Sequence, residues 1–161
     1  TGSANVDARG PYDVVSSGRT GHAESVKIVY DPSQVTVGQL LKVFFSVAHD
    51  PTELNRQGPD HGTQYRSAVF YQGDDQKRVV QAYIDQLQKA KIYSGAIVTQ
   101  VTPLVAFYPA EDYHQDYATI HPEQPYIVYN DAPKIANMKR IFADIYQDKP
   151  VLVMAAKGAG H

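Results

Sequence analysis

Apolar and polar positions along the chain fall into short dense runs and longer stretches of helical spacing. Val26-Lys27-Ile28-Val29-Tyr30 joins β-branched and aromatic residues and predicts a strand, closed by the turn pair Asp31-Pro32. Val37, Leu40, Leu41, Phe44, Val47 and Ala48 recur on one face at helical spacing, so residues 36–48 read as a helix capped by Thr36. Residues 49–65 break this pattern with Asp50-Pro51, Gly58-Pro59 and Gly62 and read as a long loop. Loops of that length are more often functional than idle. Ser67-Ala68-Val69-Phe70-Tyr71 predicts a second strand. Asp74 or Asp75 opens a helix reaching about Lys91, with Val80, Tyr83, Ile84 and Leu87 inward. Ile97 to Val101 predicts a third strand, and Leu104 to Tyr108 extends the sheet. A short helix follows over 111–117. A last helix is capped by Asp131, with Pro133 in its first turn and Ile135, Met138, Phe142 and Ile145 inward. Residues 1–11, small and polar with Gly2, Gly10 and Pro11, read as a loop, and the tail after Val153 reads as frayed.

Strands alternate with helices, and no segment repeats. The expected class is therefore α/β, two layers with helices packed on a sheet. A chain of 161 residues is expected to form a single domain with a real core.

Composition narrows the functional classes. Hydrophobic residues make up 43%, which excludes a disordered chain. A net charge of −2 gives no electrostatic case for nucleic acid or an acidic membrane surface as partner. No apolar run approaches the ~20 residues that span a bilayer. Thr1-Gly2-Ser3-Ala4-Asn5 lacks the basic and apolar regions of a signal peptide, as would a chain from which one had been removed, and the compartment stays open. There is no cysteine, so no disulfide or thiolate metal site forms within these residues. Twelve tyrosines stand beside no tryptophan, a balance that β-rich packing accounts for.

Few residues are placed for chemistry. Glu24 precedes an apolar run; partial burial there would raise its pKa and make it an acid, while exposure would leave an ordinary strand carboxylate. Tyr12 and Tyr65 are phenols able to donate from a pocket, or simply packing residues among many tyrosines. Asp60, between Pro59 and His61, suits a turn. His22 and His61 with Glu24 have ligand chemistry, but their spacing matches no metal motif, and no metal is expected. Ser16 and Ser17 precede Gly18 without the strand-turn-helix context of a nucleophile elbow.

Longer motifs add a resemblance. Thr20-Gly21-His22-Ala23-Glu24, His49-Asp50-Pro51 with Arg56-Gln57-Gly58, Gly62-Thr63-Gln64-Tyr65-Arg66-Ser67, and Phe107-Tyr108-Pro109-Ala110-Glu111 with His114-Gln115-Asp116-Tyr117 follow one another in order. In that order they resemble the A-type peptide methionine sulfoxide reductases, from about Tyr12 to Tyr117. The resemblance implies that Glu24 is the acid that protonates the sulfoxide oxygen. Tyr12 and Tyr65 would be hydroxyl donors to that oxygen, and Asp60 the acidic residue of the substrate pocket. It implies reduction of the S epimer of methionine sulfoxide, free or in proteins, for repair of oxidative damage. A cysteine thiolate attacks sulfur and is left as a sulfenic acid, which a second thiol resolves. No bound cofactor is implied, only an external thiol reductant of the thioredoxin type.

The family's nucleophile lies in a Gly-Cys-Phe-Trp segment, for which these residues have no counterpart, and Ser16 stands where some relatives carry a resolving cysteine. The implied fold is a two-layer sandwich on a ferredoxin-like sheet, here without its N-terminal strand–helix unit. The chain alone is expected to be inactive. The missing unit is expected from a longer form of the protein or from a complementing segment. The alternatives are a catalytically dead relative that binds methionine peptides and, more remotely, a hydrolase using Glu24 and Asp60 as acid and base.

Overall fold

The computed structural model describes residues 2–4, as backbone, and 21–154. Contacts divide the chain into two compact units, Thr1–Pro109 and Ala110–His161. The elements combine helix and sheet as the α/β class requires.

The core of the first unit is a strand–helix–strand arrangement. β5 (Ala68–Tyr71) pairs in parallel with β6 (Gln100–Pro103), and the helix Gly73–Lys89 runs between them in sequence. A second helix, Val37–Val43, packs against that helix. Leu41, Phe45, Val80 and Ile84 form the buried cluster, flanked by Val37, Phe44, Val69, Tyr83, Leu87, Ile97 and Val101. Phe45 stacks on Tyr83 with ring centroids 5.7 Å apart.

Thr36 caps its helix as the sequence indicates. Its hydroxyl accepts from the Gln39 N–H, and the Gln39 side chain accepts from the Thr36 N–H in return. The far end of this helix departs from the expected periodicity. Phe44–Ala48 form a π turn, which adds residues to the turn and rotates the following side chains. Phe45 is consequently the buried ring, Phe44 is only partly covered, and Ala48 is exposed.

A three-stranded antiparallel sheet, in the order β2-β1-β7, joins Gly2–Ala4 (β1), Ala23–Ser25 (β2) and Phe107–Pro109 (β7). This corrects the loop reading of residues 1–11 at positions 2–4, where backbone pairing on both sides makes a central strand. Residues 5–11 lie outside the described ones. The strand expected at Val26–Tyr30 is instead Ala23–Ser25, because β1 offers partners only to those residues. Val26, Ile28 and Val29 are 71%, 57% and 85% exposed, so strand propensity without a neighbouring backbone forms no strand. The third strand likewise begins at Gln100 rather than Ile97. The Val98 N–H is taken by the Pro51 carbonyl at 2.8 Å, and the ladder with β5 starts at Ala68 opposite Gln100.

The loop expected over 49–65 contains regular structure. Arg56–Gln57 (β3) and Asp60–His61 (β4) form a hairpin, followed by a 3-10 turn at Thr63–Tyr65. Gly58, at φ +53, opens the two-residue connection with Pro59 behind it.

In the second unit, the stretch 111–117 expected to be one short helix holds only a 3-10 turn (Asp112–His114), and a helix follows at Tyr117–Ile120. A π turn (Ile127–Asp131) leads into the helix Ala132–Ile141. Asp131 holds the N-cap position but makes no cap hydrogen bond; its carboxylate meets Lys134 at 3.4 Å instead. Phe142 is buried as expected, whereas Ile135 and Ile145 are each 47% exposed. The Asp116 carboxylate accepts from the Val153 and Met154 N–H groups at 3.0 and 2.9 Å, tying the following chain back.

Candidate active site

The site is assembled from β2, the β3–β4 hairpin and the turn after it, all in the first unit. β2 packs against the turn Thr63–Tyr65, which also meets β3 and β4. Glu24 lies at the middle of β2 and is half-buried. In the ladder it stands opposite Ser3, which stands opposite Tyr108 on β7. Directly paired residues share a face of the sheet, so Glu24 and Tyr108 look out on the same side. His22 is 1% exposed and packs at a tilt against Tyr108, with centroids 5.5 Å apart.

The hairpin places Asp60 opposite Gln57, half-buried. Gly62 follows at φ +137, and its N–H donates to the Asn55 carbonyl at 2.9 Å, closing the hairpin onto the turn. A Cβ at this glycine would run into the amide of Gln64, whose side chain is buried. Only glycine lets the chain turn this closely over that amide.

Tyr65 ends the turn and is partly buried. Burial holds its phenol above the usual tyrosine range, the carboxylates of Glu24 and then Asp60 push it further up, and a hydrogen bond with Gln64 pulls the other way. Two acids and a phenol from segments distant in sequence therefore act on one another. Like any tyrosine phenol it is a hydrogen-bond donor at neutral pH, and these neighbours disfavour its ionisation further.

Arg66 connects the segments. Its Nη1 donates to the carbonyls of Thr63 (2.8 Å) and His22 (3.2 Å), its Nη2 to that of Gly21 (3.0 Å), and its Nε to Gln100 Oε1 (3.1 Å). Behind it, Ser67 is buried between His49 Nε2 (2.6 Å) and Thr99 Oγ1 (2.7 Å). The Phe44 carbonyl 3.1 Å from His49 Nδ1 accepts its proton, so Nε2 is the acceptor for the Ser67 hydroxyl.

Of the residues the sequence singled out, Glu24, Asp60 and Tyr65 come together. Tyr12, Ser16, Ser17 and Gly18 lie outside the described residues. His61 is exposed on the hairpin. Among the described residues no three histidine and carboxylate side chains gather to hold a metal ion. Arg66 and Tyr108 lie within the family motifs, but nothing in the sequence marks either as part of the site. The local signal for Arg66 was faint: an arginine directly after the candidate phenol, before a serine.

The family model described as Peptide methionine sulfoxide reductase matches residues 2–146. The chain is 61% identical over 156 residues to Peptide methionine sulfoxide reductase MsrA 2 of Mesorhizobium japonicum, covering 97% of this chain and 79% of that relative. It is 52% identical over 142 residues to the protein of the same description from Synechocystis sp., covering 88% of this chain and 66% of that relative. Among solved structures, Mxr1 of Saccharomyces cerevisiae in reduced form superposes with a TM-score of 0.69 at 35% identity, over 76% of this chain and 70% of that one. Methionine sulfoxide reductase A of Corynebacterium diphtheriae gives 0.62 at 40% identity, over 75% of this chain and 62% of that one. A match over nearly the whole length, with the same motifs gathered in space, means that this chain belongs to the peptide methionine sulfoxide reductase family.

Proposed function

We propose that these residues carry the acid and phenol half of a peptide-methionine (S)-S-oxide reductase, with the attacking thiolate supplied from outside them. Glu24 gives its proton to the sulfoxide oxygen. Tyr65 and Tyr12 donate hydrogen bonds to that oxygen, and Asp60 lines the pocket. Sulfoxide oxygen leaves sulfur poorly until it is protonated, and fixed donors in a partly dry site stabilise the charge that develops there. The thiolate attacks sulfur and forms an S–S bond as the protonated oxygen leaves as water. A water then attacks the cysteine sulfur, that S–S bond breaks, methionine is released, and the cysteine is left as a sulfenic acid. A second thiol displaces the sulfenic oxygen as water and leaves a disulfide, which a dithiol partner of the thioredoxin type reduces. No bound cofactor is needed.

The observation that carries this reading is the gathering of Glu24, Asp60 and Tyr65 from three segments, with the turn that carries Tyr65 packed on β2 and on the hairpin and both carboxylates acting on its phenol. The 161 residues contain no cysteine. Carboxylate, phenol and imidazole groups activate a sulfoxide but cannot supply the two electrons and be regenerated by thiols.

Loss of methyl p-tolyl sulfoxide, followed by chromatography with dithiothreitol as reductant, tests the assignment. The chain as it stands should give no turnover, and the chain joined to an upstream Gly-Cys-Phe-Trp segment should turn over. In that active form Glu24→Gln should slow the reaction about 100-fold or more, since an amide has no proton to give. Turnover by the cysteine-free chain would overturn the mechanism. A folded, joined chain that binds methionine peptides without turnover would favour the binding-module alternative.

A further inference from the structure

We propose that Arg66 is the positioning residue of this site: its guanidinium ties the main chain leading into Glu24 to the turn carrying Tyr65, and so sets the separation of acid and phenol. The inference rests on the reading above and deepens it.

The need for such a tie follows from the strands. β2 has three residues, and among the described residues it is an edge of its sheet, paired with β1 alone. Nothing in that ladder fixes β2 against the turn Thr63–Tyr65. Arg66 does so directly. One planar group donates to carbonyls of Gly21 and His22 on one side and of Thr63 on the other. These carbonyls lie two and three positions before Glu24, and two before Tyr65.

No carboxylate is among the acceptors, so the guanidinium works as a rigid multi-pronged donor rather than as an ion-pair partner. Its base is anchored in turn. Ser67 is held by His49 and Thr99, and its carbonyl accepts from the Gln100 N–H at 2.9 Å. The Gln100 side chain takes the Nε–H of Arg66, which orients the fork. Gly21, at φ +70, turns the chain just before β2, where its carbonyl meets Nη2. Lysine carries the same charge but has one tetrahedral nitrogen, and it cannot span both segments.

The experiment reads the electrostatic coupling between Glu24 and Tyr65, which needs no thiol and no turnover. The Tyr65 phenol is titrated by NMR on Cζ-labelled tyrosine in four proteins: wild type, Glu24→Gln, Arg66→Gln and the double variant. In the wild type Glu24→Gln should lower the Tyr65 midpoint. In the Arg66→Gln background it should lower it little or not at all, because acid and phenol have drifted apart. Arg66→Lys should behave as Arg66→Gln. A merely stabilising arginine would shift the melting temperature and leave this coupling intact.

A full-sized coupling in Arg66→Gln, or a wild-type coupling in Arg66→Lys, overturns the positioning role and leaves the site reading standing. A wild type in which Glu24→Gln does not move Tyr65 overturns both. If the Arg66 variants do not fold, the wild type itself decides. Hindered rotation of the Arg66 Nη groups, with scalar coupling to the Gly21 and His22 carbonyl carbons, supports the tie, and averaged Nη signals overturn it.

Discussion

Glu24, Asp60 and Tyr65 were each legible as candidates, but an isolated carboxylate or phenol has an ordinary reading that only its neighbours remove. Those neighbours are contributed by burial and by one another, across gaps that no local pattern spans. Tyr65→Phe keeps the ring and deletes the donor, so the thiol-supplied enzyme should lose roughly 100-fold in kcat while its melting temperature changes little. Gly62→Ala is the sharper residue-scale test. Its Cβ would meet the buried Gln64 side chain and demand φ +137 of an alanine. Stability should fall by about 1–3 kcal/mol, and activity should fall with it as Tyr65 is displaced. Unchanged chemical denaturation of Gly62→Ala would show that the turn relaxes around the methyl.

At the scale of elements, the long helix was legible from its periodicity. Val80 and Ile84 are buried, with Tyr83 and Leu87 packed against them, as spacing requires. The shorter helix shows where periodicity stops working. Its apolar face could be read through Leu41, but the π turn at Phe44–Ala48 changes the angle per residue and hands burial to Phe45. The turn is held from outside its own sequence, since the Tyr93 hydroxyl donates to the Phe45 carbonyl. Tyr93→Phe should therefore cost about 1 kcal/mol in urea unfolding. Thr36→Ala, which removes one half of the capping box, should cost a similar ~1 kcal/mol. A loss well below this in either variant would mean that water replaces the missing partner at no cost.

On the scale of the whole molecule, three partly buried phenols make an alkaline signature. Burial comes first among the causes that raise Tyr65, Tyr83 and Tyr93 above the ordinary tyrosine value of 10.0. A phenol with a raised pKa in the folded state holds its proton longer than in the unfolded chain. Its stabilising contribution is full below pH 10.0 and is lost as pH rises through the folded values. Melting temperature should thus be flat in this respect near neutrality and fall steeply above about pH 10. A flat profile to pH 11 would contradict the burial of these rings. Val26, Ile28 and Val29, being exposed, contribute no core, and polar substitutions there should change stability by no more than about 0.5 kcal/mol.

By itself the sequence determined what local forces decide. These were the α/β class, the capped start at Thr36, the inward face of Gly73–Lys89 and the family motifs with their candidate acids and phenols. It did not determine which apolar runs become strands. Val26–Tyr30 has the propensity and no partner, whereas Gly2–Ala4 has weak propensity and a partner on each side. A strand is stabilised by backbone hydrogen bonds to another segment, so pairing outweighs composition. The same holds for the site. The acids and the phenol were written locally, but their mutual approach rests on Arg66 bridging carbonyls 44 and 45 positions away, information that exists only once the chain has folded.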